Sequence, residues 1–244
     1  MSIPKTIHYC WFGGNELPES ARKCIDSWRR HFPDYEIKRW DESNFDVNIN
    51  TYTAQAYSIG KYAFVSDYAR MWILYHHGGV YFDTDVEVIA DFADILAKGG
   101  FMGFETPEYV APGLGMALEK GDSVALAVMQ KLEKTQFLNA DGSFNPQGIV
   151  PATTAALTER GLRRDGSLQR IGDITIYPAE FFNPFDDATG RLRSTSNTRS
   201  IHWYSKTWMP KQNPARVLLA RLYHRVCRSG CIARIKNLIA KRNV

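Results

Sequence analysis

The run SIGKYAFVSDYARMWILYHHGGVYFDTDVEV, residues 58–88, constrains the fold of this chain more than any other stretch. Ser58 is placed to cap a helix, and Gly78 suits the left-handed turn that ends one. Between them Ala63, Phe64, Val65, Ala69, Met71, Trp72, Ile73 and Leu74 make the helix apolar nearly all round, which is the mark of a buried helix. It nevertheless carries Asp67 and Arg70, three apart and therefore on one face. Burying those charges costs several kcal/mol each unless they pair or face a wet pocket. Two readings stand open: an internal ion pair that fixes the helix, or one wall of a ligand site. The Gly78–Gly79 turn feeds directly into a strand-forming run in which Asp83 and Asp85 would project to the same side, about 7 Å apart. A D-x-D pair alone also fits a strand edge where Asp83, Asp85 and Glu87 face water. Connectivity decides between them, because it brings the charged helix face and the carboxylate pair into one region.

The rest of the chain alternates strands and helices. IPKTIHYC reads as a first strand and YEIKRW as a second. Between them Pro18 opens a helix in which Ala21, Cys24, Ile25 and Trp28 recur at helical spacing up to HFP. Residues 41–57 are polar and carry no regular pattern. Beyond residue 90, DFADILAK reads as a short helix, GFMGFE and GLGMAL as strands, and 122–138 as an amphipathic helix. A further helix is expected near 149–160, and DITIYP is another strand. Such alternation predicts an α/β architecture with a mixed sheet covered by helices on both sides. With 244 residues and no internal repeat, one substantial domain is expected.

Two acidic oxygens beside a sharp turn suit a hard divalent cation, Mg²⁺ or Mn²⁺, with a substrate diphosphate completing the shell. Other site types are excluded. There is no G-x-x-x-x-G-K-[ST] loop, no G-x-G-x-x-G after a strand, no His/Cys cluster suited to zinc and no calcium loop. No apolar run is long enough for a membrane-spanning helix, and the N-terminus reads as a strand rather than a secretory signal, so a cytoplasmic address is expected. Cys10, Cys24, Cys227 and Cys231 form no C-x-x-C pair and read as reduced bystanders.

IHYCWFGG near the start, KYAFVSDYARMWILYHHGGVYFDTDVEV in the middle and IHWYSKTWMP late resemble the DXD-containing glycosyltransferases of bacterial capsule and lipopolysaccharide synthesis. That family includes fungal initiating α-mannosyltransferases, and large clostridial glucosylating toxins share its core. The specific part is S-D-x-x-R on a helix followed by G-G-[VI]-Y-x-D-x-D. The resemblance covers residues 3 to about 210 and is weakest between 105 and 195. It implies a GT-A type nucleotide-sugar-binding fold, with a mixed, mostly parallel sheet flanked by helices, and a metal-dependent, retaining sugar transfer from a nucleotide-sugar donor, with UDP favoured. On that resemblance Trp11 stacks on the base, Asp67 and Arg70 hold the donor sugar, and Tyr81 and Asp83 contact ribose or metal-bound water. Asp85 ligates Mn²⁺ or Mg²⁺ with Asp83, and His202 and Trp208 belong to a segment closing over the diphosphate. HWYSKTW departs from the toxin version, which has an acidic residue there, so His202 enters only as a candidate for the third metal ligand. Asp83, Asp85 and Arg70 are the catalytic candidates, since a cation and a guanidinium, with Lys206 as a second base, offset charge on the diphosphate leaving group.

Nearby residues have plainer readings. Trp11 beside Phe12 could be core, and Tyr81 could merely pack. His76 and His77 suit the negative end of the helix dipole, and His8 reads as a satisfied strand residue. Glu105 ends its strand where it could face donor or acceptor. Two other functions fit D-x-D: a phosphohydrolase with an Asp nucleophile and Asp acid, and a sugar-binding protein without turnover. Of the 30 basic residues 13 follow Asp187, and none of the 26 acidic ones does. With the resemblance ending near residue 210, residues 1–210 read as the catalytic domain and 211–244 as a basic helical tail. Leu219, Leu222, Tyr223 and Val226 form an apolar stripe in that tail, which either packs on the domain or lies on anionic membrane, as would suit a lipid-linked saccharide acceptor. No nucleic-acid motif accompanies the charge.

Overall fold

The computed structural model describes residues 3–205 and 214–228. Strand β1 (Thr6–Cys10), helix α1 (Glu19–His31) and strand β2 (Glu36–Trp40) form a parallel β–α–β unit, with β1 and β2 in register from Thr6↔Glu36 to Cys10↔Trp40. Pro18, at φ −64°, stands immediately before α1, and the helix buries Ala21, Cys24, Ile25 and Trp28 as its spacing predicts. Trp28 is fully buried and its Nε1–H donates to the Val86 carbonyl at 2.8 Å.

Residues 41–57 are not wholly irregular: α2 (Thr51–Ser58) lies there, started by the Asn50 side chain, which accepts the Thr53 N–H at 2.9 Å. At eight residues with only Tyr52, Thr53 and Ala56 buried, it is too short to print an apolar stripe on the sequence. Ser58 consequently ends α2 rather than capping the next helix, and α3 (Tyr62–His77) begins after Lys61. Gly78 closes α3 at φ 67°, and Gly79, at φ 106°, opens β3 (Gly79–Tyr81). A Cβ on Gly79 would stand 2.6 Å from the Thr6 carbonyl oxygen, so only glycine lets β3 lie against β1 here.

The expected aspartate-bearing strand is broken. β3 ends at Tyr81, a turn closed by the Val86 N–H on the Asp83 carbonyl (3.0 Å) follows, and β4 (Val86–Val88) begins beyond Asp85. Asp83 and Asp85 sit in this turn, and so converge instead of standing a strand repeat apart. After α4 (Ala93–Leu96) come β5 (Gly100–Thr106), β6 (Tyr109–Val110), β7 (Met116–Leu118), α5 (Ser123–Glu133) and α6 (Ile149–Thr158). The chain continues through β8 (Gln169–Ile171), β9 (Ile174–Tyr177), the hairpin β10 (Phe185–Asp186) and β11 (Arg191–Leu192), then β12 (Ser200–His202) and α7 (Pro214–Arg228).

The main sheet runs β2-β1-β3-β7-β5-β9-β8, with β6 paired to β5. Along that path five of seven strands share one direction; β7 and β8 are reversed. One face is covered by α2, α3, α5 and α6, around Tyr52, Met71, Leu74, Val128 and Leu157. The other carries α1 and α4, around Trp28, Phe82, Phe92, Ile95 and Phe101. β4 leaves the main sheet and pairs antiparallel with β12, bringing His202 opposite Val86. Cys10 and Cys24 are buried and free.

Candidate active site

α3 delivers Arg70 into the protein with its side chain only 6% exposed. Its guanidinium grips Asp83 as a fork, Nη1 to Oδ2 at 3.2 Å and Nη2 to Oδ1 at 3.1 Å, and Nη2 also lies 3.2 Å from Asp67 Oδ1. Nε donates to the Ser66 carbonyl at 3.1 Å, and the group lies 5.0 Å over the Tyr81 ring. The Tyr81 hydroxyl donates to Asp83 Oδ1 at 3.1 Å. Both readings of the helix pair are therefore present at once: Asp67 and Arg70 are an ion pair, and the pair lines a cavity.

The electrostatics follow from burial and from one cation serving two carboxylates. Burial opposes the charge on Arg70, but Asp83 and Asp67 outweigh it, and its pKa is raised. Burial pushes Asp83 above the usual carboxylate range, with Arg70 pulling it back. Asp67 shares only one guanidinium nitrogen, and burial pushes it up to about 6 against the pull of Arg70 and the Ile149 N–H.

Asp85 takes the other side of the turn. His202 Nε2 lies 3.1 Å from its Oδ1, and the Ser205 N–H and Oγ–H donate to Oδ2 at 2.8 and 3.1 Å. Burial would raise Asp85, yet His202 and Ser205 outweigh it and hold the carboxyl down at about 2. His202 is correspondingly raised, Asp85 overcoming its burial. One oxygen of Asp83, one of Asp85 and one ring nitrogen of His202 all lie within 4.8 Å of one another. His202 Nδ1 is buried without a hydrogen-bond partner among the described residues. Two carboxylates and an imidazole fit a divalent cation, and the imidazole suits Mn²⁺ better than Mg²⁺.

These groups line one cavity of about 520 Å³ together with Trp11, Phe64, Glu105 and Tyr204. Trp11 is half-buried at its rim, its Nε1–H donating to the Asn15 carbonyl at 2.7 Å. Gly13 follows at φ 94°, and a side chain there would collide with Tyr62. The sequence-selected Trp11, Asp67, Arg70, Asp83, Asp85 and His202 thus come together on the cavity wall, whereas Tyr81, expected to contact the donor, is 1% exposed and supports Asp83 from behind without lining the cavity; Lys206 and Trp208 lie outside the described residues. His8 is satisfied, between Gly78 O (3.0 Å) and the Trp40 Nε1–H (3.1 Å), and His76 and His77 are exposed at the end of α3, away from the cavity lining.

Several site residues carried no signal in the sequence reading. Ser205 and Tyr204 follow His202 in a segment that ties two distant elements: Ser205 holds Asp85, and the Tyr204 hydroxyl lies 2.9 Å from Glu105 Oε1 and 3.0 Å from Asn183 Oδ1. Gly113 and Gly148 are needed for close approach. A Cβ at Gly113 would run into Asp83 Oδ2, and one at Gly148 would stand 2.9 Å from Asp67 Oδ2.

Residues 18–102 match the family model described as a glycosyltransferase sugar-binding region containing a DXD motif. Inositol phosphoceramide mannosyltransferase 3 of Schizosaccharomyces pombe is 29% identical over 148 residues, 56% of this chain and 39% of that protein. Inositol phosphoceramide mannosyltransferase 1 of the same yeast is 31% identical over 111 residues, 41% of this chain and 33% of that protein. The chain thus spans well under half the length of these relatives. A solved glycosyltransferase involved in glycosylating the major capsid of PBCV-1 superposes with a TM-score of 0.50 at 10% identity, over 83% of this chain and 95% of that one. That likeness is one of fold, a GT-A type mixed, mostly parallel sheet flanked by helices. Residues 18–102 hold the buried α3 face and the aspartate turn, so the stretch similar to the DXD-containing glycosyltransferase region is the one that builds this wall of the site.

Proposed function

We propose that this chain moves a sugar from a nucleotide-sugar donor, a UDP-sugar, onto a saccharide hydroxyl with retention of anomeric configuration. The observation that carries the reading is the convergence of Asp83, Asp85 and His202 on one wall of a cavity whose adjoining wall presents Arg70. Asp85 and His202 are the cation ligands, with Asp83 as the third. A divalent cation held there supplies Lewis-acid stabilisation of the diphosphate leaving group. Trp11 at the rim offers a face for the base, and Asp67, with Arg70 beside it, accepts hydrogen bonds from donor sugar hydroxyls. Arg70 is fixed by Asp83 and Ser66 before substrate arrives, so it needs no reorganisation as charge develops.

In the transfer the bond from the anomeric carbon to the diphosphate oxygen breaks, its electron pair leaving with the phosphate. The acceptor oxygen bonds to that carbon from the same face, and its proton passes to the departing phosphate oxygen. Support for this front-face route is that Arg70 engages both Asp67 and Asp83, leaving neither poised as a nucleophile. Residues 1–210 are the catalytic unit in this reading. A setting in capsule or lipopolysaccharide synthesis rests on the resemblance of the 58–88 block.

The test is a panel of UDP- and GDP-sugars with Mn²⁺, reading thermal shift and nucleoside diphosphate release. One UDP-sugar is expected to stabilise the protein and be slowly hydrolysed, and Asp85→Ala is expected to lower that release by about 10³-fold. Substantial metal-independent turnover by the folded Asp85→Ala protein would defeat the assignment. Release of inorganic phosphate instead would point to the phosphohydrolase, and no release at all to a lectin.

A further inference from the structure

Helix α7 meets the body of the protein through arginines. Arg221 and Arg225 make polar contacts with the β10–β11 hairpin. Arg221 Nη2 pairs with Asp187 Oδ1 at 3.1 Å and its Nε donates to the Asp187 carbonyl at 3.2 Å. Arg225 Nε donates to the Thr189 carbonyl at 2.6 Å and its Nη2 reaches the Gly190 carbonyl at 3.4 Å. Both arginines cap the β10–β11 hairpin. The leucines flank that docked face without being covered by it: Leu218, Leu219 and Leu222 are 58%, 66% and 46% exposed. At 100° per residue these three fall within one third of the helix circumference, so the exposure is a stripe and not a scatter.

The surroundings of that stripe select its partner. Arg216 on α7 and Arg191 and Arg193 on the hairpin are exposed, and Leu192 between them is 46% exposed. No acidic residue follows Asp187, and Asp187 is itself paired with Arg221. An apolar arc edged by cations, with the hairpin's Asp187 paired to Arg221 and its Asp186 accepting the Thr189 N–H, complements an anionic lipid surface. A second copy fits poorly, because a two-fold contact would set this basic face against itself.

We infer that α7 and the β10–β11 hairpin form a docking surface for an anionic bilayer. A chain of contacts links the surface to the aspartate turn: Arg221 lies 5.7 Å over the Phe185 ring, Phe185 meets Trp203 at 5.3 Å, and the Trp203 N–H donates to the Asp85 carbonyl at 3.0 Å. Docking would hold the catalytic domain at the headgroup layer. Resting on the transfer reading, this makes the acceptor a saccharide carried on a lipid.

The experiment is flotation of the full-length protein with vesicles of phosphatidylcholine alone or of phosphatidylcholine and phosphatidylglycerol in equal parts, for wild type and Leu219→Glu/Leu222→Glu. Wild type is expected to float with the anionic vesicles, less so at high salt, and the double variant to lose about tenfold or more in partitioning. The variant is expected to keep the wild-type unfolding temperature and the same donor hydrolysis in solution. Equal flotation by both proteins overturns the inference. So does a wild type that stays with neither vesicle but sediments as a dimer the variant cannot form, or a variant that unfolds at much lower temperature, which would mean the chain itself covers the stripe. Donor hydrolysis without flotation removes the docking surface alone, whereas flotation without hydrolysis removes the transferase reading alone.

Discussion

Arg70 is the residue on which the site turns, because three carboxylate contacts converge on a single buried cation. Replacing it with Ala leaves Asp67 and Asp83 buried without their counter-charge, and the expected loss of stability is about 3–5 kcal/mol by chemical denaturation. Arg70→Lys keeps the charge without the planar fork; it is expected to recover much of the stability but not nucleoside diphosphate binding in Mn²⁺. Equal binding by Lys and Arg would show that the fork has no part in the site. Gly113→Ala probes the same cluster from outside. The new methyl group meets Asp83 Oδ2, an atom pinned by Arg70, so relief requires moving the ion pair. A loss of about 1–3 kcal/mol is expected, with weakened donor binding. At this scale the chemically distinctive residues were legible in the sequence. Asp67, Arg70, Tyr81, Asp83 and Asp85 lie on one continuous helix–turn stretch, so spacing alone puts them together. Gly113, Gly148 and Ser205 were not legible, since a small residue acts through what stands against it, and that neighbour is tens of residues away.

Among the elements, β1 carries a titratable group at the junction of three others. His8, 2% exposed, receives the Trp40 Nε1–H from β2 on its Nδ1 and meets the Gly78 carbonyl at the end of α3 with its Nε2. Such a ring is neutral, and burial lowers its pKa from 6.5 to about 4. Below pH 6.5 the unfolded chain takes up a proton that the folded ring refuses. Stability from His8 is therefore complete above 6.5 and is lost as pH falls toward about 4, by on the order of 3 kcal/mol. Urea midpoints from pH 7.5 to 4.5 should fall more steeply for wild type than for His8→Leu, although the variant is weaker throughout; parallel slopes would place the protonation elsewhere. The long, strongly patterned elements α1, α3 and α5 were readable from apolar spacing. The misreadings share one cause. α2 and the aspartate turn are decided by single hydrogen bonds, from Thr53 to Asn50 and from Val86 to Asp83, which leave no periodicity behind.

For the molecule as a whole, the site is closed by a segment that reaches it late in the chain. β12 pairs with β4, and residues 202–205 then bridge from Asp85, in the turn after β3, to Glu105 at the end of β5. These contacts join positions about a hundred residues apart, which is why no local reading of the sequence could order them. The bridge is held at both ends, and Tyr204 sits at φ 50°, a conformation that a tyrosine adopts only when its surroundings enforce it. The enforcing contacts are the hydroxyl against Glu105 and Asn183 and the ring against His202, 4.2 Å between centroids. Tyr204→Phe keeps the ring contact and removes the hydroxyl, so one end of the bridge is released while His202 and Ser205 stay in place. Faster hydrogen exchange at residues 202–205 is expected, with nucleoside diphosphate binding weakened several-fold and the unfolding midpoint lowered by only about 1 kcal/mol. If exchange and binding both match the wild type, the Ser205–Asp85 contact alone holds the segment, and the left-handed turn at Tyr204 is set by the chain path between β12 and Ser205.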